Sequence, residues 1–267
     1  MSGRYDISGR LAIITGACGG IGKAFARELA SRGCSLLLVD LNAKALDMLA
    51  DSLPADIEVF RLQYDLTRED ASERVFRFCD SHSLVPEILI NNAGIFSFRP
   101  VAETAPEKID TFTELHIRTV TLLSREFVRR RGAIGRGYLL NMSSMSCWMP
   151  MPGIALYAAS KAYIRVFTRA LHYELRDTGV KVMVACPGGI ATDLFGLPPH
   201  LMRIALLLGA VARPEKFAHK AIDRLLRGKM QYINGFINRI SILFVGMAPT
   251  WMRMMVKHKM LDKAIRR

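Results

Sequence analysis

Acidic residues are scarce in this chain. It carries 24 Asp and Glu against 37 Lys and Arg, a formal net charge of +13. That balance favours acidic partners, such as nucleic acid or an anionic membrane surface, and otherwise serves solubility. No nucleic-acid-binding motif accompanies it, so nucleic acid is not an expected partner. Cysteine is sparse as well. Cys18, Cys34, Cys79, Cys147 and Cys186 are odd in number and scattered, with no CxxC pair and no metal-ligand cluster. They read as reduced, mostly buried residues of an intracellular protein, and no metal is expected. No uninterrupted apolar run reaches the ~18 residues of a spanning helix. Met1 to Asp6 contain no apolar h-region, so no secretory signal is read and the expected location is cytoplasmic.

The 267 residues are 51% hydrophobic and 23% charged, which suits one large α/β domain with a sizeable core. Arg10 to Thr15 is a short apolar run. A glycine-rich turn follows, Gly16-Ala17-Cys18-Gly19-Gly20-Ile21-Gly22, and then a helical pattern from Ala24 to Ser31. Strand, glycine turn and helix in that order suit a pyrophosphate. Glycine lets the backbone come close, and a helix N-terminus offers free N–H groups and a positive dipole end.

The next run, Cys34 to Val39, ends at Asp40, followed by Leu41 and Asn42. A carboxylate there, about 20 residues after the glycines, suits the ribose hydroxyls of NAD and repels the 2′-phosphate of NADP. No arginine follows directly, and Gly19 stands where NADP-preferring loops of this kind often carry a basic residue, so NAD is favoured.

The alternation continues. Helices over 43–52, 69–81 and 106–131 and one running to about Asp177 alternate with strands over 57–64, 87–90, 138–142 and 180–185. The pattern predicts a Rossmann-type doubly wound parallel sheet with helices on both faces. Ligands of such sheets bind beyond the strand C-termini, where Asp40, Asp65, Asn92, Ser144 and Pro187 fall.

Tyr157 and Lys161 are four residues apart and share one helix face. A free tyrosine has a pKa of ~10 and a free lysine ~10.4. A neighbouring cation lowers the tyrosine value toward neutrality, where a phenol can exchange a proton with a substrate oxygen. Such a spacing alone is more often a solvated helix face.

Taken together, these motifs resemble those of the short-chain dehydrogenase/reductase family. Thr15-Gly16-Ala17-Cys18-Gly19-Gly20-Ile21-Gly22 matches the family's TGxxxGxG, and Asn91-Asn92-Ala93-Gly94 matches NNAG. Ser144 lies thirteen residues before Tyr157, Tyr157 and Lys161 match YxxxK, and Pro187-Gly188 with Thr192 matches PGxxxT. The resemblance covers residues 10 to about 193. It implies that Tyr157 is the general acid/base, that Ser144 orients the substrate oxygen, and that Lys161 holds the nicotinamide ribose and tunes Tyr157. It also places Asp65, with Leu66, near adenine, Asn92, Ala93 and Gly94 along the adenosine ribose, and Ile190 and Thr192 at the carboxamide. A homo-oligomer, dimer or tetramer, is a further implication.

Two stretches depart from the family pattern. Where the family usually carries an asparagine in the long helix, this chain has Leu115-His116-Ile117-Arg118-Thr119. His116 is either a packing substitution or a proton relay, since an unperturbed histidine titrates near ~6.5. After a helix over 214–227 and a strand over 230–236, the chain continues beyond the usual close. Ile240, Phe244, Met247, Trp251, Met254, His258, Leu261 and Ile265 form a stripe at helical spacing, flanked late by Arg253, Lys257, Lys259, Lys263, Arg266 and Arg267. Pro249 should break it in two. The division is then a dehydrogenase domain over 1–236 and a basic amphipathic extension over 237–267. The extension can lie on a membrane surface, cover an apolar pocket or pack on its own domain. Between Cys147 and Trp148 on one side and the substrate loop of about 191–213, with Leu194, on the other, an apolar pocket is expected. It suits acyl-chain or steroid-like substrates over sugars, and the extension resembles the tails of long-chain ketoacyl and ketosphinganine-type reductases of the same superfamily, which implies a sphinganine-like substrate as well.

Overall fold

The apolar runs form one parallel sheet in this computed structural model, which describes residues 6–132, 135–190, 211–246 and 249–261. In chain order the strands are β1 (Leu11–Thr15), β2 (Ser35–Asp40), β3 (Val59–Gln63), β4 (Pro86–Asn91), β5 (Gly137–Met142) and β6 (Val180–Ala185). A two-residue ribbon, β7 (Gly189–Ile190) with β8 (Val211–Ala212), stands apart, and β9 (Gln231–Tyr232) closes the main sheet. The order across that sheet is β3-β2-β1-β4-β5-β6-β9. Its neighbours pair in parallel, for example Ile14 with Leu38 and Ala185 with Tyr232.

Helices cover both faces, which is why the strands read as continuous apolar runs and not as alternating ones. On one face α1 (Gly20–Ala30), α2 (Ala43–Asp51) and α7 (Pro214–Leu226) pack Phe25, Leu46 and Phe217 against Ile14, Leu38 and Met183. On the other, α3 (Ala71–Ser81), α5 (Val120–Gly132) and α6 (Ala155–Glu174) pack Phe76, Phe127 and Leu171 against Ile13, Leu89 and Leu139. Strand order reverses between β1 and β4, so a crevice opens beyond their C-terminal ends, at Thr15 and Asn91.

The long helix is two pieces, α4 (Pro106–Thr113) and α5, joined by a π-helical turn over Glu114–Thr119. The wider turn seats the His116 ring, fully buried, inside the fold. The strand expected over 230–236 shortens to β9. Gly235, at φ +75°, turns the chain, and Phe236 begins α8 (Phe236–Gly246). Pro249 then starts α9 (Thr250–Val256), followed by a last turn, Lys257–Leu261. This segment touches the domain at both ends. Asn238, on α8, lies against Gly188, and Leu261 lies against Gly153. Residues 191–210, with the expected cofactor residue Thr192 and substrate residue Leu194, are outside the described residues.

Candidate active site

The glycine turn is built by close approach. Gly16 has φ +60°, and a Cβ there would sit 2.7 Å from the Ala93 Cα. A Cβ on Gly22 would lie 2.1 Å from the Gly16 carbonyl oxygen. Any side chain at either position breaks the turn. Gly19 precedes α1 with no side-chain cap, so the first N–H groups of α1, from Gly20, Ile21 and Gly22, have no partner from a cap. Such an uncapped helix start fits a pyrophosphate.

The Asn91-Asn92-Ala93-Gly94 segment braces this turn. Thr15 Oγ1 accepts from the N–H groups of Asn92 (3.0 Å) and Ala93 (3.1 Å). The Asn92 amide donates to the carbonyls of Thr15 (3.1 Å) and Gly16 (2.9 Å). Asn91 turns the other way. Its amide donates to Asn141 Oδ1 at 2.8 Å, and the Asn141 amide donates to Thr168 Oγ1 at 3.0 Å. This buried polar chain ties β4, β5 and α6 together beneath the crevice.

Asp40 ends β2 beside the turn. Its carboxylate accepts from the Cys18 N–H at 2.8 Å and the Asn42 N–H at 3.3 Å. Two oxygens carry about four lone pairs, so room remains for a pair of ribose hydroxyls. Burial and then the Asp40 charge push the Cys18 thiol up to about 12, so it stays neutral. Leu41 beyond it is exposed. Asp65 is committed to its own turn, accepting from the Thr67 N–H (2.9 Å) and hydroxyl (2.7 Å). Leu66 is buried, and its carbonyl accepts from Thr119 Oγ1.

Ser144, Tyr157 and Lys161 meet at one pocket, with Asn92, Gly94, Pro187, Gly188, Ile190 and Ile21 on its walls. Ser144 follows β5 and accepts from the Ser146 N–H at 3.1 Å. Tyr157 and Lys161 stand one turn apart on α6, both buried, with Lys161 Nζ 5.7 Å from the Tyr157 ring centre. Burial lowers the Lys161 pKa to about 8, so near neutral pH it is still mostly an ammonium, donating to the Met142 carbonyl at 3.1 Å. The lowering of Tyr157 toward neutrality is not met in the protein itself. Burial raises its pKa, and hydrogen bonding with Ser144 pulls only partly back. Desolvation of the phenolate outweighs the help of its neighbours.

His116 is bonded at both ring nitrogens. Nε2 faces the Ile95 N–H at 3.0 Å, which makes it an acceptor. Nδ1 therefore carries the proton and donates to Ser160 Oγ at 2.8 Å, and that hydroxyl donates to the Tyr157 carbonyl at 2.9 Å. Burial, and then the Lys161 charge, holds the ring well below its ordinary pKa, so it is neutral. The lone pair that a relay needs is already in use. The geometry makes His116 a brace between the Gly94-Ile95 loop and α6.

Cys147 and Trp148, expected on the substrate side, pack with Val120, Ile164, Val184 and Cys186, and the Arg165 guanidinium lies 4.4 Å over the Trp148 ring. They are not among the described walls of this pocket, and most of the loop expected to face them, 191–210, lies outside the described residues; Ile95, Met142 and Ser143, which the motifs did not single out, do line it. Phe96 presses against the Tyr157 ring at 5.0 Å. Ser143, next to the recognised Ser144, donates to the Lys161 carbonyl at 2.7 Å. Its adjacency was the one available sign.

A family model described as short chain dehydrogenase matches residues 10–197. The human protein named inactive hydroxysteroid dehydrogenase-like protein 1 is 30% identical over 251 residues, spanning 91% of this chain and 74% of that protein. The 3-oxoacyl-[acyl-carrier-protein] reductase FabG of Rickettsia typhi is 30% identical over 236 residues, 86% of this chain and 94% of the relative. Among solved structures, one described by the stereoselectivity of a 7beta-hydroxysteroid dehydrogenase superposes with a TM-score of 0.81 at 26% identity, covering 97% of this chain and 96% of that one.

Proposed function

Because this chain belongs to the short-chain dehydrogenase family, we propose that it is an NAD-dependent oxidoreductase interconverting a secondary alcohol and a ketone on an apolar substrate. The observation that carries the reading is the convergence of Ser144, Tyr157 and Lys161 on one pocket beside the glycine turn. Family membership implies a nicotinamide cofactor, and the choice of NAD rests on Asp40 at the end of β2. A bound dinucleotide supplies or accepts the hydride.

The chain's own residues do the rest. Hydride transfer to a carbonyl builds negative charge on its oxygen. The Ser144 hydroxyl donates to that oxygen, and the Tyr157 phenol gives it a proton. With its pKa raised by burial, Tyr157 holds that proton through neutral pH, which suits the reducing direction. Lys161, still charged, anchors the ribose side of the site. The apolar walls, Ile21, Ile95, Met142 and Ile190, favour a hydrophobic alcohol over a sugar. The relatives named for hydroxysteroids and 3-oxoacyl groups lean the same way.

The test is turnover of NADH with a panel of steroid and long-chain ketones. Tyr157→Phe should lower kcat by ~10³-fold or more while NADH binding, read by fluorescence titration, is kept. Substantial residual turnover sinks the assignment. One observation favours a second reading, a nucleotide-binding protein without turnover: the human relative is named as inactive. Against it, this chain keeps all three side chains and gathers them. NADH binding with no turnover by the native protein on any ketone would favour the second reading.

A further inference from the structure

Of the fourteen exposed large apolar side chains among the described residues, eight lie between Phe236 and Met255. On α8, Phe236, Ile240 and Phe244 recur every four residues and are exposed, Phe236 at 75% and Phe244 at 66%. The opposite side of the helix is occupied, since Asn238 is buried against Gly188. On α9, Trp251 is 67% exposed and Met255 42%. A soluble domain seldom leaves so many large apolar side chains of one segment uncovered.

Charge has the same address. Between Asp223 and Asp262 the sequence contains no aspartate or glutamate, while Arg239, Lys257 and other basic residues lie there. Among the described residues no helix is long and apolar enough to cross a membrane. The eleven residues of α8 span ~16 Å, about half of a ~30 Å hydrocarbon core. A short helix, apolar on its outer face and flanked only by basic charge, suits the headgroup boundary of an anionic bilayer.

We propose that the outer face of α8 and α9 docks the protein on an anionic lipid surface. A second copy of the chain fits this face poorly, because a two-fold pairing uses the same patch on both copies, and between Asp223 and Asp262 that segment carries basic side chains and no acidic one to pair with them. The helix that carries the docking face adjoins the pocket through its inner side, where Asn238 rests on Gly188, a pocket wall. The inference stands on exposure and charge and does not depend on the cofactor or the substrate.

The experiment is co-sedimentation of the full chain with vesicles of phosphatidylcholine, alone or mixed with phosphatidylserine. The protein should pellet with the mixed vesicles and be released by salt. Phe244→Glu with Trp251→Glu should lower binding by ~10-fold or more, with the thermal melt retained. Arg239→Glu should weaken only the phosphatidylserine-dependent part. Tryptophan emission supplies a reading that does not depend on the double variant folding. A blue shift of the native protein on adding mixed vesicles, absent in Trp251→Phe, places Trp251 in the lipid. The proposal is overturned if the protein stays in the supernatant, if the double variant pellets like the native chain, or if the double variant only converts a dimer to a monomer in light scattering.

Discussion

Asp40 shows how a single side chain can set a preference. Its carboxylate stands at the end of β2 and closes on the glycine turn through the Cys18 N–H. A second negative group, such as a 2′-phosphate, would meet it at close range, where like charges cost most. Asp40→Ala should weaken NADH about tenfold and remove most of the discrimination against NADPH, measured by titrating both nucleotides. If the native protein already prefers NADPH, the argument from Asp40 is wrong. His116 makes a different point at the same scale. Its residue type left a packing substitution and a proton relay both open, and bonds from Ile95 and to Ser160 occupy both nitrogens and leave it a neutral brace.

Among the elements, the buried chain of Asn91, Asn141 and Thr168 holds β4, β5 and α6 in register with one another. β4 leads into Asn92, β5 leads into Ser144 and α6 carries Tyr157 in its first turn, so the polar chain joins the elements that hold the candidate site. Asn141 is fully buried, and its removal takes one of two partners from the Asn91 amide, which keeps Ser124 Oγ at 3.2 Å, and one from the Thr168 hydroxyl, which keeps the Ile164 carbonyl at 2.6 Å. Asn141→Ala should cost about 1 to 2 kcal/mol in urea unfolding, with a parallel loss of turnover from misplaced Ser144. A loss below about 0.5 kcal/mol would show that water or repacking replaces the amide.

Across the whole molecule, buried basic groups set how stability follows pH. The folded pKa of His116 lies well below its ordinary value, so below about pH 6.5 the unfolded chain takes up a proton that the folded one refuses. Stability therefore falls on acidification. Lys161 acts with the same sign in another window. Its folded pKa is about 8 and its unfolded value ~10.4, so stability climbs between those pH values. The unfolding free energy of the native protein should drop by up to about 1 kcal/mol per pH unit below 6.5 on account of His116, and His116→Gln should flatten that slope. An unchanged slope in His116→Gln would mean that the ring is protonated in the folded state.

The linear chain was sufficient for local features and for order. Apolar runs, the glycine turn and the four-residue interval between Tyr157 and Lys161 are properties of neighbours, so the sheet, the turn and the shared helix face could be read from them. Tertiary structure decided what depends on distant partners and on burial. Ile95, Met142 and Ser143 reach the pocket only because β4 and β5 lie side by side. Cys147 and Trp148 pack with Val120 and Ile164, a niche built by elements distant from them in the chain. The Tyr157 pKa rises because desolvation grows with the number of surrounding atoms, and that number is not encoded in the spacing of Tyr157 and Lys161.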